Sequence, residues 1–316
     1  MSVLCIGEAL IDMICTDKGS ALSDGQNFLK KPGGAPTNVA AAIGALGGSI
    51  SLTAKVGQDP FGKHLKEVMD SFEVDTQYLF TAPEHFTTFA FVSLMLDGER
   101  DFIFNRGADA ELNLEEIQSI DLNPFSIVHF GSATAFLDGP LKASYYHLLE
   151  EAKKKGKIIS FDPNYRHLLF GDKQETFIEQ SLIFFQQADF TKLSDEEAML
   201  ITRTTTLEAA TEKLLQLCPG VFAITLGKEG TLLGLNQQTY VMTSIEVKPV
   251  DTTGAGDAFV GAVLYQIDQM GITDIQQLSI EDWQKIIQNA NRAGARTCEY
   301  MGAMEAFKHL NNSIFN

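Results

Sequence analysis

A glycine-rich turn, DTTGAGDAFVGA at residues 251–262, carries the residues of this sequence that are best suited to chemistry. Gly254, Ala255 and Gly256 stand where a helix is predicted to begin, and the free N–H groups of a first helical turn form an anion site. Asp257 lies inside that turn, where its carboxylate would repel a bound phosphate unless it serves as a base or a metal partner. Phosphoryl transfer to a hydroxyl requires this combination of an anion site and a base. A simple helix start with a favourably placed acid is the alternative.

Two familiar glycine motifs do not fit the sequence. The stretch GQDPFGKH at 57–64 approaches the P-loop pattern, but His64 replaces the Ser or Thr that would bind Mg²⁺. Asp59 would also place negative charge among the phosphates, so we predict a strand-to-helix turn there, with Asp59 and Pro60 starting the helix. The first turn has Phe259 where a dinucleotide fingerprint needs glycine, which argues against a dehydrogenase.

A second cluster of small and polar residues, PGGAPTNVAAAIGALGG at 32–48, opens another predicted helix. Gly33 and Gly34 allow a ligand to approach the backbone closely. Asn38 has no packing reason to stand at the start of so apolar a helix, and its amide could bind hydroxyl groups. Tight helix packing alone is the alternative explanation of the small residues. Asp12, beyond the first strand in GEALIDMI, is either a further polar ligand or a turn residue.

Several cations follow predicted strands in a chain that has few of them. Arg106 lies in FNRGADAEL, Arg166 ends SFDPNYR, and Lys192 lies in TKLSDEE. Arginines at strand ends in so acidic a chain indicate an anionic or polyol ligand. The carboxylates that end at Glu197 could instead be solvated residues at the start of a helix.

The elements that must position these residues alternate along the chain. Six runs are short, apolar and bounded by turn residues: VLCIG, SLTAKVG, IVHFGSA, KIISFDP, ADFTKLS and VFAITLG. Helical patterns lie among them, at 37–46, 62–72, 140–154, 173–185 and 207–217. This alternation predicts an α/β fold with a doubly wound, mostly parallel sheet flanked by helices. Ligands bind at the carboxyl ends of the strands in such sheets, so we expect the chemistry there.

One region, residues 87–107, breaks the alternation. TTFAFVSLMLDGERDFIFNRG has the pattern of two strands around an Asp-Gly-Glu turn at 97–99. Both faces of its first strand are apolar, with Phe91 on one side and Val92 on the other. We expect it to be buried on both sides, against a ligand cleft, a lid partner or another subunit, with a covered core sheet as the alternative. The chain is therefore predicted to be one domain, 1–316, with a small lid at approximately 13–32 and 86–107.

Composition restricts the class of partner. The chain of 316 residues has 24 Lys and Arg against 41 Asp and Glu, a net charge of −17, which argues against nucleic acid and anionic membrane surfaces. The four cysteines have no CxxC spacing, and a disulfide scaffold is unexpected in so long a chain. The apolar N-terminus contains Glu8 and Asp12 and lacks a basic segment, so it is predicted to be neither a signal peptide nor an anchor. These features predict a cytoplasmic protein with reduced thiols.

Over essentially its full length the sequence resembles the ribokinase-like (PfkB) carbohydrate kinases. GGAPTN matches the first signature of that family, and DTTGAGDAFVGAVL matches the second position for position. GEALID, VGQDPFG, SFDPNYR, KLSDEE, TLGKEG and MGAM follow in the family's order. The resemblance implies a large α/β domain with a β-sheet lid over a sugar cleft.

The resemblance also implies roles for individual residues. Asp257 would be the catalytic base, and the amides of residues 254–256 would form the anion hole. Sugar-binding positions would be Asp12, Gly33, Gly34, Asn38, Arg106 and Arg166. Nucleotide-binding positions would be Lys192, Thr225, Gly227, Gly230 and Asn291. Glu197 would act on Mg²⁺ through water, while Asp251 and Thr253 would hold a monovalent cation such as K⁺.

The resemblance implies ATP and Mg²⁺ as cofactors and a sugar as acceptor. The motifs and the arginine of the hairpin are most similar to those of bacterial fructokinases, which favours fructose phosphorylated at its 6-hydroxyl. The rival is 2-keto-3-deoxygluconate kinase, which usually has tyrosines beside that arginine, whereas this chain has Phe102, Phe104 and Asn105. A non-catalytic sugar-binding relative is the alternative from another class. Some relatives pair through their lids, so we also expect a homodimer through the lid hairpin.

Overall fold

The computed structural model describes residues 2–95 and 100–315, arranged as a large sheet between helices and a smaller sheet at one edge. The predicted turn at 97–99 lies outside the described residues. Within the described part, no helix is both long and apolar enough to cross a bilayer. The four cysteines all lie in this part, and each is a free thiol.

The larger sheet contains nine strands among the described residues, in the order β13-β12-β11-β10-β9-β8-β1-β4-β5. Pairing is parallel from β11 through to β5, and β12 and β13 add antiparallel strands at one edge. Their bounds are β1 Val3–Ile6, β4 Ile50–Gly57, β5 Leu79–Ala82, β8 Ile127–Phe130, β9 Ile158–Phe161, β10 Phe190–Ser194, β11 Val221–Thr225, β12 Thr231–Leu235 and β13 Gln238–Met242.

Helices cover both faces of this sheet. One layer is built mainly from α1 Ala35–Ala45, α2 Pro60–Ser71, α9 Ala255–Met270, α10 Ile280–Thr297 and α11 Ala303–Phe307. The other layer contains α3 Leu114–Gln118, α4 Pro140–Lys154, α5 His167–Phe170, α6 Gln174–Phe185, α7 Asp195–Thr202 and α8 Leu207–Leu217. Because each layer has its own apolar core, the central strands are buried on both faces. This explains why VLCI is an apolar run without alternation and why all eight residues of ISLTAKVG are buried, although apolar and polar residues alternate in it.

The smaller sheet has the order β3-β2-β6-β7. It consists of β2 Leu10–Cys15, β3 Phe28–Gly33, β6 Thr88–Leu94 and β7 Arg100–Asn105, with β2 and β6 parallel and the outer pairs antiparallel. One face packs on α2, where the Phe61 and Phe89 rings meet edge to face with centroids 4.8 Å apart. The opposite face carries Asp12 and, one row further out, a band of apolar side chains.

The expected elements agree closely with the observed ones. Asp59 caps α2 by accepting the N–H groups of Phe61 and Gly62 at 2.9 and 2.8 Å. The same carboxylate accepts the N–H and hydroxyl of Thr87 at the root of β6. GQDPFGKH is therefore a capped helix start that anchors the smaller sheet, and the rejection of a P-loop is confirmed.

Candidate active site

The carboxyl edge of the parallel strands brings the expected chemistry to the start of α9. Gly254 precedes this helix in the left-handed conformation with φ of 83°. A Cβ on Gly254 would lie 2.4 Å from the Cβ of Ala303, so the position needs glycine for space as well as for conformation. The first helical bond runs from the Ala258 N–H to the Gly254 carbonyl at 2.8 Å. The N–H groups of Gly256 and Asp257 precede that bond and remain available to an anion.

The amide of Ala255 differs from the expectation. Its N–H donates to the Thr252 carbonyl at 3.2 Å, within the turn that leads into α9. It therefore already has an acceptor in the protein, because the turn closes on itself just before the helix. The N–H groups that are free to bind an anion are therefore those of Gly256 and of Asp257 itself.

Asp257 is buried in the first turn of α9 and is held by a second helix. The Nδ2 of Asn38 donates to Asp257 Oδ2 at 2.8 Å. Burial raises the pKa of Asp257, while the Asn38 hydrogen bond and the nearby positive charges of Arg166 and Lys192 oppose the rise. An unperturbed aspartate has a pKa of about 3.9. The structure gives a stronger base, because a carboxylate that has lost its water accepts a proton more readily.

The glycine pair before α1 determines where Asn38 lies. Gly34 has φ of 105°, and a Cβ on it would lie 2.3 Å from the carbonyl oxygen of Glu8. The buried Glu8 carboxylate accepts the Ala35 N–H at 3.0 Å and caps the helix. Asn38 Oδ1 is buried without a hydrogen-bond partner among the described residues. A buried acceptor of this kind suits a ligand hydroxyl.

Asp12 and Arg166 flank the same cleft. The Asp12 carboxylate lies over Gly33, where a Cβ would come within 2.2 Å of its Oδ2. Burial raises the pKa of Asp12 to about 6, and Arg166 opposes this rise. Arg166 is exposed and therefore accessible to a ligand. Because its charge acts on both Asp12 and Asp257, the structure brings these three predicted residues together.

Lys192, a predicted nucleotide-binding residue, is buried. Its ammonium lies 3.2 Å from Asp162 Oδ2, and both side chains are buried. Burial opposes charge on Lys192, but Asp162, Glu197 and Asp257 together raise its pKa, so it stays protonated. Burial raises the pKa of Asp162, and the adjacent Lys192 opposes this. A Cβ on Gly256 would lie 3.3 Å from the Lys192 Nζ, which places the ammonium against the first turn of α9.

Glu197 is a buried capping residue of α7. Its two oxygens accept the N–H groups of Tyr165 and Ser194, each at 2.8 Å. The Ser194 hydroxyl oxygen in turn accepts the Glu197 N–H at 3.1 Å, and the two bonds form a capping box. With both oxygens engaged, Glu197 suits an action on a metal through water. Across the described ranges, no group of three or more His, Cys, Asp or Glu side chains could hold a metal ion alone.

Arg106 donates hydrogen bonds to three other residues of the protein. Its guanidinium donates to Asp109 Oδ2 at 3.2 Å, to the Thr134 carbonyl at 3.1 Å and to the Asp138 carbonyl. Asp109 is itself buried and accepts the hydroxyls of Thr88 and Thr134. All three guanidinium nitrogens therefore have protein acceptors, and the arginine joins the end of β7 to the loop after β8.

The other predicted nucleotide-binding residues lie near the edge of the larger sheet that is formed by β11, β12 and β13. Thr225 ends β11 and donates its hydroxyl to the Leu193 carbonyl at 3.2 Å. Gly227 and Gly230 bound the following turn, both with positive φ. The Asn291 side chain is used internally, since it accepts the Thr231 hydroxyl at 2.6 Å and donates to the Met242 carbonyl at 3.2 Å. It therefore fixes the strand pair β12–β13 to α10.

Asp251 ties two loops together beside the start of α9. Its Oδ1 accepts the N–H and hydroxyl of Thr253, at 3.0 and 2.7 Å, and its Oδ2 accepts the Gly302 N–H at 2.8 Å. These bonds lower its pKa against the effect of burial. The carboxylate stays ionised and holds the 251–253 loop against the segment that leads into α11.

Three buried carboxylates had no role assigned from sequence: Glu8, Asp109 and Asp162. Each follows an apolar strand or short turn, which is the available signal. The partners that define their roles lie on other strands and could not be identified from spacing. Ser132 donates to Glu8 Oε2 at 2.6 Å, for example, across 124 residues of sequence.

Comparison with known proteins places this geometry in a family. A sequence profile described as pfkB family carbohydrate kinase matches residues 1–310. "Probable fructokinase-2" of Arabidopsis thaliana is 36% identical over 315 residues, covering 96% of this chain and 92% of the relative.

Solved structures of similar proteins share the fold. The fructokinase of Vibrio cholerae O395, in its fructose-, ADP- and calcium-bound form, aligns with a TM-score of 0.84 and 31% identity, covering 100% of this chain and 98% of that one. A fructokinase with bound ATP from Xylella fastidiosa aligns with a TM-score of 0.84 and 28% identity, covering 99% and 96%. The expected ribokinase-like α/β fold is thereby confirmed.

Proposed function

The chain belongs to the pfkB family of carbohydrate kinases and is a sugar kinase, and from this premise we propose that it phosphorylates fructose at the 6-hydroxyl with ATP. The observation that carries the proposal is the buried Asp257 in the first turn of α9, fixed by Asn38. One carboxylate oxygen is occupied by that amide. The other is left to accept the proton of a sugar hydroxyl.

Proton transfer, charge stabilisation and sugar binding are assigned to different residues of this chain. Asp257 takes the hydroxyl proton as the sugar oxygen attacks the γ-phosphoryl group, and ADP leaves. The N–H groups at the start of α9 and the charge of Lys192 stabilise the negative charge of the transferred group. Asn38 Oδ1 and Asp12 accept hydroxyls of the sugar, while Gly33 and Gly34 let it approach the backbone.

Arg106 favours fructose over 2-keto-3-deoxygluconate, the runner-up. Three of the five N–H donors of Arg106 already donate to Asp109 and two carbonyls, which leaves at most one donor on each Nη for a substrate carboxylate. Its neighbours Phe102 and Phe104 stack on each other and offer no hydroxyl. Arg166 is an accessible cation beside the cleft, and it serves a polyol as well as an anion. The similar proteins described as fructokinases point in the same direction.

The nucleotide and its ions are assigned by family resemblance and by the donors present. We propose that ATP lies along Thr225, Gly227 and Gly230, with Asn291 supporting the adenine end through β12–β13. Bound with the nucleotide, Mg²⁺ would neutralise charge on the phosphates. Glu197 would act on it through water, and Asp251 with Thr253 would hold K⁺ beside the anion site.

The outer face of the smaller sheet supports a homodimer. The aligned residues Ile14, Leu29, Val92 and Phe102 form an apolar row across all four strands, next to the row that carries Asp12. Ile14 and Leu29 are 40% and 43% exposed in the single chain. We propose that a second copy covers this row and that the sheet acts as the lid of the sugar cleft. A cytoplasmic location remains a prediction from composition.

A coupled assay of ADP release tests the acceptor. Fructose, 2-keto-3-deoxygluconate, ribose, mannose and a nucleoside are compared at equal concentration with MgATP. We expect the highest kcat/KM with fructose. Activity with ketodeoxygluconate and none with fructose would reverse the assignment.

A further inference from the structure

Asp162 is a fully buried carboxylate that the proposed mechanism does not use. It follows β9 directly and has no exposed surface. Its Oδ1 accepts the Asn164 N–H at a long 3.3 Å. Its Oδ2 has no hydrogen-bond partner among the described residues and lies 3.2 Å from the Lys192 ammonium. The charge of Asp162 is therefore balanced mainly by one lysine.

Such a pair is costly to keep in the interior. Removing two charges from water costs several kcal/mol per ion, and a well-packed apolar pair of similar volume is often as stable or more stable. Stability alone thus gives little reason for Asp162 and Lys192 to be charged. Their position gives a better one, because the ammonium lies against Gly256, at the turn where the anion site begins.

The surroundings show what Asp162 does to the ammonium. Three carboxylates, Asp162, Glu197 and Asp257, act on Lys192 and keep it charged. Asp257 is needed for the sugar hydroxyl, and Glu197 has both oxygens bound to backbone N–H groups. Asp162 is the one in direct contact with the lysine. Without Asp162, the flexible Lys192 side chain would be free to move to Asp257 and neutralise that base.

We propose that Asp162 is a positioning residue for phosphoryl transfer, holding the Lys192 ammonium beside Gly256 so that it meets the transferred phosphoryl group and leaves Asp257 free. The inference rests on the proposed function. Asp162 itself exchanges no atom or proton: the hydroxyl proton goes to Asp257, the phosphoryl group goes to the sugar oxygen, and ADP departs. A side chain at Gly256 would press on the ammonium, because its Cβ would lie 3.3 Å from the Lys192 Nζ.

A double-mutant cycle tests the proposal through kcat. Asp162→Asn and Lys192→Met are made singly and together. Each single change should lower kcat by about 10²–10³-fold, the typical cost of one transition-state donor, with the KM for the sugar little changed. Because Asp162 acts through Lys192, the double variant should have the kcat of Lys192→Met alone. Wild-type kcat in Asp162→Asn, or effects that multiply, would overturn the proposal.

Thermal unfolding separates positioning from stability. Each single variant leaves a buried charge unpaired and should lose Tm, whereas the double variant removes both charges and should recover it. Recovered Tm without recovered kcat is the expected signature. If Asp162→Asn does not fold, Lys192→Met and the double variant are compared, and a kcat that differs more than about threefold between them would overturn the proposal.

Asp189→Asn provides the matched control. Asp189 precedes β10, at the opposite end of the strand from the active site, and accepts the Ile159 N–H at 2.7 Å. This variant should lose Tm with unchanged kcat, and a loss of kcat like that of Asp162→Asn would show that the assay reports stability alone. ADP release by the wild type decides the sugar separately: if another acceptor of the panel is the substrate, the fructose assignment fails and the cycle is run with that acceptor.

Discussion

The Nδ2 of Asn38 lies 2.8 Å from Oδ2 of Asp257, although 219 residues separate the two in sequence. Each stands near the start of a helix, and the two helices pack closely because both are rich in small residues. A Cβ on Gly261 of α9 would lie 2.9 Å from the Cβ of Ala42 of α1. The orientation of the base is therefore a property of helix packing.

Replacing Asp257 by Asn should abolish most of the turnover. The amide cannot take the hydroxyl proton, so we expect kcat to fall by about 10²–10⁴-fold. The shape is retained, so Tm should change little and the sugar should still bind. Steady-state kinetics with calorimetric titration of the sugar provide the measurement, and unchanged turnover would remove Asp257 from the role of base.

Asn38→Ala should affect both binding and turnover. It removes the donor that orients Asp257 and the buried Oδ1 that is proposed to accept a sugar hydroxyl, so kcat should fall and the KM for the sugar should rise. Asn289→Ala is the control, since Asn289 is a buried amide bonded to Gln266 at 2.7 Å. It should lower Tm without altering either constant. Equal kinetics in the two variants would contradict a specific role of Asn38.

Asp12 makes stability depend on pH in a defined direction. Burial raises its pKa from 3.8 to about 6, so the folded state binds its proton more tightly than the unfolded state does. Its contribution to stability is complete below the unfolded pKa and is lost as pH rises through about 6, with a slope of at most about 1.4 kcal/mol per pH unit. Asp12→Asn should flatten the free energy of unfolding between about pH 4 and 6. The free energy of unfolding is measured by urea denaturation at each pH. The same dependence on pH in the wild type and in Asp12→Asn would count against this prediction.

The apolar row of the smaller sheet should mediate self-association. We expect light scattering to give about twice the chain mass of 34.7 kDa for the wild type. Leu29→Lys places a charge in the row and should yield the monomer. Val241→Lys, at a more exposed apolar position on the edge strand β13, should leave the mass unchanged. A monomeric wild type at high concentration would rule out the dimer.

The positions of most elements could be read from the sequence. The bounds of α4 and α8 agree with the patterns residue for residue, α1 begins two residues before its pattern with a proline in its first turn, and α2 begins at Pro60, as the Asp59-Pro60 pair predicts. Local signals suffice here, since caps, prolines and apolar runs act over a few residues. The start of α9 was likewise visible, because glycines and an acid mark it.

The pairing of the site residues could not be read in this way. Asp162 and Lys192 meet because β9 and β10 are neighbours in parallel register, and strand order leaves no local trace in the chain. The bonds of Arg106 to Asp109 and to the loop after β8 likewise depend on the fold, and its role as a sugar ligand stays a prediction. The pKa of Asp257 depends on burial, which the spacing of motifs does not report.

The contact of Gly254 with Ala303 has a consequence for biosynthesis. The catalytic turn takes its shape against a residue that is translated about fifty positions later, and the amide that orients its base comes from near the beginning of the chain. The last helices also cover the sheet, where the Trp283 ring stacks on that of Phe190. Phosphoryl transfer should therefore appear only at the end of synthesis.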